Sequence, residues 1–593
     1  MIETISQVFL NTIKSYQKKN LLLYKKEGAY VPISTKEVGD WVKQFSLGLR
    51  DIEFEPGDKL VLIAEDSPEW IMTDLAVLCS GGITVPIYTS LVSEQIKYII
   101  DDSDAKIVVC SNKELWEKIR DLQKEFTKVK HYILLQPEAP EGVFTLDEIL
   151  ERGKRISQED STFFERMAME VKPDDIASIV YTSGTTGIPK GVMLTHRNFI
   201  SNIKSTSSII EFSHKDMALS FLPLSHVLER MVNFTYFYRG CSIGYAESVE
   251  TIGENLIELK PTIMVSVPRV FEKIYSKVID TILAGSAVKR KIFFWALKVG
   301  KEYSKKEMKN SPISKFLRLK RSLAHKLVFS KIIEKTGGRF RVLVSGGAAL
   351  SKDIAEFFHA MGIIILEGYG LTETSPVITV NTFENLKFGT VGKPIPGVEV
   401  KIADDAEIIT RGPNVMKGYY KKESQTNEAF EEGWFHTGDI GYLDEGGFLV
   451  ITDRKKDIIV TSGGKNVAPQ MIENMIRISS YVSNVMVVGD KRKYIIALVV
   501  PEFEKLEEYA SFHNIHYENN SELVKNEKVL NFMKSEVDRF TQNLSSYEKI
   551  KKIILLSRDF EIAKGEMTPS LKVKRNFVEQ EYKELIDSVC EDF

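Results

Sequence analysis

The sequence predicts an α/β protein: a large doubly wound N-terminal body carrying a β-rich lobe, followed by a small α+β C-terminal domain. Three observations lead there. Apolar, strand-length runs alternate with helical patterns over most of the chain before Phe388, as in parallel strands joined by crossover helices. Gly- and Pro-punctuated pieces then take over, the texture of short strands and turns. Beyond DRKKD the chain has strands and amphipathic helices of its own, enough for a separate small domain.

The elements follow in order. MIETISQVFLNTIKSYQKKN carries apolar residues at helical spacing and lacks the unbroken apolar stretch of a signal peptide. KLVLIAE, SPEWIMTDLAVLCSGG and ITVPIY form one strand–helix–strand unit. RVLVSGG, SKDIAEFFHAMG and IIILEGYG form a second, with Ser351 placed as the helix N-cap. GTVGKPIPGVEVKI and EIITRGPNVMKGYY belong to the β-rich lobe, which should end near Ile451. We place the N-terminal domain at 1–452, a junction at 453–456 and the C-terminal domain at 457–593. Apolar runs such as Tyr494 to Val500 are strand-length and too short to span a bilayer.

Composition narrows the partners. Hydrophobic residues make up 43% and charged residues 27% of the 593 positions, the balance of an ordinary globular protein with more than one lobe. A net charge of −3 provides no basic field for a polyanion, so nucleic acid is not an expected partner. Cys79, Cys110, Cys241 and Cys590 lie far apart without CxxC spacing, which suits a reducing compartment and a cytoplasmic location. The first three sit in or beside apolar runs and read as buried small hydrophobes. Residues 289–339 carry sixteen Lys and Arg against three acidic residues, interleaved with FFWAL and FLRLKRSLAHKLVF. That pattern fits either a solvated helical face or one that touches anionic lipid on the cytoplasmic side of a membrane.

The most informative stretch is Tyr181-Thr-Ser-Gly-Thr-Thr-Gly-Ile-Pro-Lys-Gly191, between the apolar run ASIVY and VMLT, with a helix starting near His196. Glycines at 184, 187 and 191 let backbone N–H groups converge on an anion; Thr182, Ser183, Thr185 and Thr186 add donors, and Lys190 adds a positive charge. This is a phosphate cradle. It is not a Walker A loop, because Pro189 stands where that pattern requires glycine.

YTSGTTGIPKG resembles the phosphate loop of the AMP-forming adenylate synthetases, which include acyl-CoA synthetases, luciferases and peptide-synthetase adenylation domains. LPLSHVLER, GYGLTET, GWFHTGDIG, DRKKDIIVTSGGKNVAP and MTPSLKVKR follow in the family's order. The set that also includes PRVFEKIY and VSGGAAL is most similar to the long-chain acyl-CoA synthetase branch. The resemblance implies ATP-dependent conversion of a medium- to long-chain fatty acid to acyl-AMP with loss of pyrophosphate, then transfer to CoA. ATP, Mg²⁺ and CoA are the implied small molecules. Two alternatives stay open: an acyl-AMP ligase that loads a carrier protein, and a silent nucleotide-binding regulator.

It also implies residue roles. Gly184, Gly187 and the hydroxyls around them, with Lys190, hold the phosphates. Glu373 ligates Mg²⁺ and Thr372 contacts phosphate; the bland alternative for Glu373 is an exposed loop acid. Gly346, Gly347 and Ala348 edge the adenine, with Tyr369 along its face. Asp439 and Arg454 meet the ribose, unless they are simply an ion pair at a domain junction. His226 meets the acyl carboxylate or packs as a core histidine. Lys572 bridges carboxylate and α-phosphate during adenylation. Leu571 stands where the wider family has Gly, so Lys574 competes with it, although spacing from Pro569 and to Arg575 favours Lys572. Finally, the C-terminal domain is mobile, pivoting at Lys456, with Gly463 and Gly464 facing a pantetheine tunnel.

Overall fold

The computed structural model describes residues 2–183, 188–248, 250–562, 564–568 and 572–590. The N-terminal body is the expected α/β architecture, but it holds two large sheets where the sequence suggested one. The first sheet runs, in spatial order, Gly418–Tyr419, Pro189–Thr195, Ile176–Ser183, Ile83–Ile87, Lys59–Ile63, Ile107–Cys110, His131–Leu134 and Phe144–Thr145. The second runs Lys393–Pro394, Val377–Val380, Ile365–Gly370, Val342–Ser345, Ile263–Ser266, Met217–Ser220, Ser242–Tyr245, Leu22–Lys26 and Ala29–Ile33. Both are parallel over most of their width; the first ends in antiparallel pairs at one edge and the second at both.

Side-chain alternation explains the layering. Along Lys59–Ile63, Leu60 and Leu62 enter one core while Val61 and Ile63 enter another, as the two-residue strand period requires. The first of these cores lies between the sheets. It encloses the helices Pro68–Cys79 and Val227–Arg239, which are buried on nearly every side, so that the few charged residues they carry, Asp74, Glu229 and Arg230 among them, are buried too. Ser67 caps the first of these with Pro68 at its first position, and a capping box of Thr195 and Asn198 starts His196–Ile209. Ser351 does occupy the N-cap of Lys352–Met361, but its side chain makes no capping hydrogen bond. Cys79, Cys110 and Cys241 are buried free thiols.

The β-rich lobe is a sheet of Glu399–Ile402, Glu407–Arg411, Phe430–Glu431, Trp434–Leu443 and Leu449–Arg454. Two segments expected in it belong elsewhere: Lys393–Pro394 and Gly418–Tyr419 extend the edges of the body sheets. Local composition cannot distinguish these cases, because a two-residue strand takes its partner from whichever open edge lies nearby. The lobe's last strand runs past Ile451 to Arg454, and Lys455, Lys456 and Asp457 form the turn after it.

The C-terminal domain is α+β. Val482–Val488, Ile496–Pro501 and Lys552–Leu555 make a three-stranded sheet with a separate apolar core on each face. Among the described residues no helix is long and apolar enough to cross a membrane.

Candidate active site

The strands Ile176–Ser183 and Pro189–Thr195 form an antiparallel hairpin that pairs Thr182 with Lys190. Its tip, Gly184, Thr185, Thr186 and Gly187, lies outside the described residues, as does the Ser183 side chain. The base of the loop is gripped by the edge strand Gly418–Tyr419. Tyr419 pairs with Val192, Tyr420 donates its N–H to Gly191 O at 2.7 Å, and the Lys190 ammonium stands 5.0 Å from the centre of the Tyr419 ring. The Tyr419 hydroxyl donates to Glu373 Oε1 at 3.0 Å.

Glu373 sits in the single turn Thr372–Thr374, just beyond the C-terminal end of Ile365–Gly370. Burial raises its carboxyl above the usual range, while the Tyr419 hydroxyl and Arg454 pull the other way. It is therefore an enclosed acid and not an exposed loop acid. Gly346, Gly347 and Ala348 follow Val342–Ser345, the neighbouring strand. A Cβ on Gly346 would come 3.1 Å from Leu228, a tight approach, and Gly347 has φ +80°, a conformation that favours glycine. Glu367 secures this loop by accepting the Leu350 N–H at 2.8 Å.

Asp439 and Arg454 face each other across adjacent strands, with Arg454 Nε 3.1 Å from Asp439 Oδ1. The ion pair left open by the sequence thus exists. The other carboxylate oxygen accepts the Tyr369 hydroxyl at 2.7 Å, which ties lobe and body together.

His226 precedes the helix Val227–Arg239 and caps it: Nδ1 accepts the Leu228 N–H at 3.1 Å. That bond leaves Nε2 as the site of the ring proton in the neutral form. Burial, helped by the positive charge of Lys572, pushes the imidazole down to about 4, so at neutral pH it is an uncharged donor through Nε2.

Lys572 comes from the other domain. Thr568 N–H donates to Lys572 O at 2.8 Å and Lys572 N–H to Thr568 Oγ1 at 3.1 Å; Pro569, Ser570 and Leu571 lie outside the described residues. By surface area Lys572 is exposed. Desolvation and the Arg454 charge lower its ammonium below the usual lysine range, while Asp439 and Glu373 act to raise it. Lys572 thus lies within electrostatic range of Arg454, Asp439, Glu373 and His226. Lys574, two residues on, donates its N–H to Glu566 O at 2.8 Å and starts the helix Arg575–Glu581.

Residues 11–420 match the family described as AMP-binding enzyme, and residues 456–593 match the AMP-binding enzyme C-terminal domain. The chain belongs to the AMP-binding enzyme family. Among its relatives, the long-chain-fatty-acid–CoA ligase FadD15 of Mycobacterium bovis is 34% identical over 95% of this chain and 93% of its own. The peroxisomal long chain acyl-CoA synthetase 7 of Arabidopsis thaliana is 32% identical over 97% and 84%. Two solved structures share the fold. An anthranilate CoA ligase, AuaEII, in complex with anthranoyl-AMP matches with TM-score 0.74 at 17% identity, covering 98% of each chain. A Mycobacterium tuberculosis fatty acyl CoA synthetase matches with TM-score 0.63 at 22% identity, over 98% of this chain and 99% of that one.

Within this AMP-binding enzyme, Gly463 and Gly464 lie at the exposed tip of the hairpin Ile459–Val460 and Asn466–Val467. The tip's hydrogen bonds, from Gly464 N–H to Thr461 O and from Ser462 N–H to Arg492 O, stay within the C-terminal domain. The sequence reading missed Tyr419, which no local signal marks. It also missed Arg230, which it could have found. Arg230 donates from Nε to Asp74 Oδ2 at 2.7 Å and from Nη2 to Asp74 Oδ1 at 2.5 Å, both side chains being fully buried. Nη1 donates to Ser178 Oγ. One guanidinium therefore ties the helix that begins at His226 to the helix Pro68–Cys79 and to the strand that leads into the phosphate loop. Opposite charges within two largely buried helices, Asp74 in one and Arg230 in the other, were the available signal. Glu229 beside it is pushed by burial up to about 8 and is neutral at pH 7, with Oε1 accepting from Ser220 Oγ at 2.6 Å.

Proposed function

We propose that this enzyme activates a medium- to long-chain fatty acid with ATP and transfers the acyl group to CoA. In the first step an acid carboxylate oxygen attacks the α-phosphorus, forming a P–O bond as the bond to pyrophosphate breaks. In the second the CoA sulfur attacks the acyl carbon, the thiol gives up its proton, and AMP leaves. The observation that carries the reading is that Lys572, from the C-terminal domain, lies within electrostatic range of Glu373, Asp439, Arg454 and His226. A carboxylate approaching an α-phosphate crowds two anions, and positioned cations lower that barrier most. The kinship with ligases named for long-chain fatty acids supports the substrate class.

The roles are those that the family resemblance implies, placed on this geometry. Lys572 bridges carboxylate and α-phosphate, and the neutral His226 donates from Nε2 to the acyl carboxylate. Lys190 and residues 182–187 hold the phosphates, with Thr372 beside them. Gly346, Gly347, Ala348 and Tyr369 bound the adenine, and Asp439 with Arg454 takes the ribose. Glu373 would hold Mg²⁺: a single enclosed carboxylate suits a cation bound chiefly by phosphate oxygens and water. When bound, that cation supplies charge neutralisation at the phosphates. Lys455 is fastened to the lobe through Asp405 at 2.5 Å and Glu407 at 2.8 Å, so a rotation that leaves the lobe intact pivots at Lys456. The C-terminal domain, turned there, would bring Gly463 and Gly464 to the pantetheine path.

Two measurements test this. Acid-dependent exchange of pyrophosphate into ATP should be present, with kcat/KM for thioester formation rising with chain length until the acyl tunnel is filled. At about 0.8 kcal/mol per buried CH₂ the rise is up to roughly fourfold per methylene. A peak at acetate or an aryl acid overturns the substrate class. Acyl transfer to a carrier protein but not to CoA overturns the acceptor, and absence of exchange overturns the enzyme.

For location we propose the cytoplasm, with contact to anionic lipid through residues 289–339. On the helix Lys315–Ala324 and the turn after it, Phe316, Leu319, Leu323 and Leu327 are exposed by 65, 69, 48 and 46%. Leu317, Ala324 and Phe329 face the core. Exposed apolar residues flanked by Lys315, Lys320 and Lys326 fit a headgroup boundary. Vesicles enriched in phosphatidylglycerol should retain the protein at low salt and lose it when Leu319 and Leu323 are both changed to Ser. Failure of those vesicles to retain the unaltered protein overturns the lipid contact.

A further inference from the structure

Lys572 can act only if its whole domain is docked in one orientation, and the docking surface on the body is narrow. The helix Pro268–Leu283 presents three charged residues to the C-terminal domain. Arg269 Nη1 donates to Ser483 O at 2.9 Å and Nη2 to Ser483 Oγ at 3.4 Å. Asp280 pairs with Lys505 at 3.4 Å, and Glu272 lies in the field of Arg477.

The Arg269 contact continues inward. Ser483 Oγ donates to Asp559 Oδ2 at 2.8 Å, and Asn484 Nδ2 donates to Asp559 Oδ1 at 2.6 Å. Next to Asp559, Arg558 forks onto both carboxylate oxygens of the fully buried Glu566 at 2.7 Å each. Glu566 O in turn accepts the Lys574 N–H at 2.8 Å, two residues from Lys572. A run of hydrogen bonds, joined through the chain at Asp559 and Glu566, thus leads from the body to the neighbourhood of Lys572.

We infer that Arg269 is a positioning residue for the first half-reaction, locking the C-terminal domain through Ser483 and Asp559 in the orientation that delivers Lys572. A planar, forked donor suits the task, since it fixes direction as well as distance, which a lysine cannot. The second half-reaction, with the domain turned away, does not use this contact. The inference rests on the proposed role of Lys572, and its test includes a readout that is independent of activity.

Arg269→Ala should lower acid-dependent pyrophosphate exchange by roughly 10- to 100-fold, the scale of misplacing a catalytic group by about an ångström. Thioester formation from supplied acyl-adenylate and CoA should be unchanged or faster. Arg269→Lys, which keeps the charge and the fold, should fall between. Without substrates, trypsin should cut Arg269→Ala several-fold faster than the parent protein after Lys455 and Lys456. Equal loss in both half-reactions, or unchanged cleavage in that turn, overturns the assignment. Absence of exchange in the parent protein would overturn the proposed function instead, and the cleavage comparison would still decide the contact.

Discussion

Lys572→Ala should cut acid-dependent pyrophosphate exchange by at least roughly 10²-fold, the scale of losing one preorganised donor, while still converting supplied acyl-adenylate and CoA to thioester. The expectation comes from where its charge is needed. The ammonium lies within electrostatic range of Glu373, Asp439, Arg454 and His226, where the proposed chemistry crowds carboxylate and α-phosphate together. Once the acyl-adenylate exists, that crowding is past, and attack by sulfur on a carbonyl needs no bridge between the two anions. Lys574→Ala should be mild in both assays, because Lys574 stands at the start of the helix Arg575–Glu581 with its backbone bonded to Glu566. If Lys574→Ala is the variant dead in exchange, the bridging role moves to it; if neither substitution matters, the C-terminal domain does not supply the cation.

Arg230→Ala should destabilise the N-terminal body by about 3–5 kcal/mol in urea unfolding, the cost of stranding one member of a buried ion pair. Asp74 would be left fully buried without its guanidinium, and the cavity would open among Trp70, Phe199 and Phe234, whose rings lie 5.6–5.9 Å from Arg230 Cζ. Asp74→Leu combined with Arg230→Met should recover most of the loss, since removing both charges leaves no unpaired one. If the double variant is as unstable as the single one, the pair stabilises the body through the shape it fills and not through its charges. Activity should suffer beyond stability, because the same guanidinium sets His226 relative to the strand that carries the phosphate loop.

These two residues mark the difference between what was legible and what was not. Lys572 could be read because its context is local: a short run, MTPSLKVKR, with fixed spacing to Arg575. Arg230 lay inside a motif already singled out, yet its meaning depends on Asp74, 156 residues earlier. Tyr419 is similar, since it matters only because a two-residue strand pairs with Val192 and turns its hydroxyl toward Glu373.

The sequence by itself determined the strand–helix–strand units, the phosphate loop, the order of the motifs and the separate C-terminal domain. Each depends on periodicity or spacing within some thirty residues, where backbone preference and hydrophobic pattern act directly. Only the tertiary structure decided that the body has two sheets, that segments expected in the lobe complete their edges, and that Lys572 comes within electrostatic range of Asp439 and Glu373. Those facts depend on which open edge or unpaired charge meets which partner after hundreds of intervening residues have folded. No local preference encodes such a meeting; burial of apolar faces and satisfaction of buried polar groups select it from the whole chain at once.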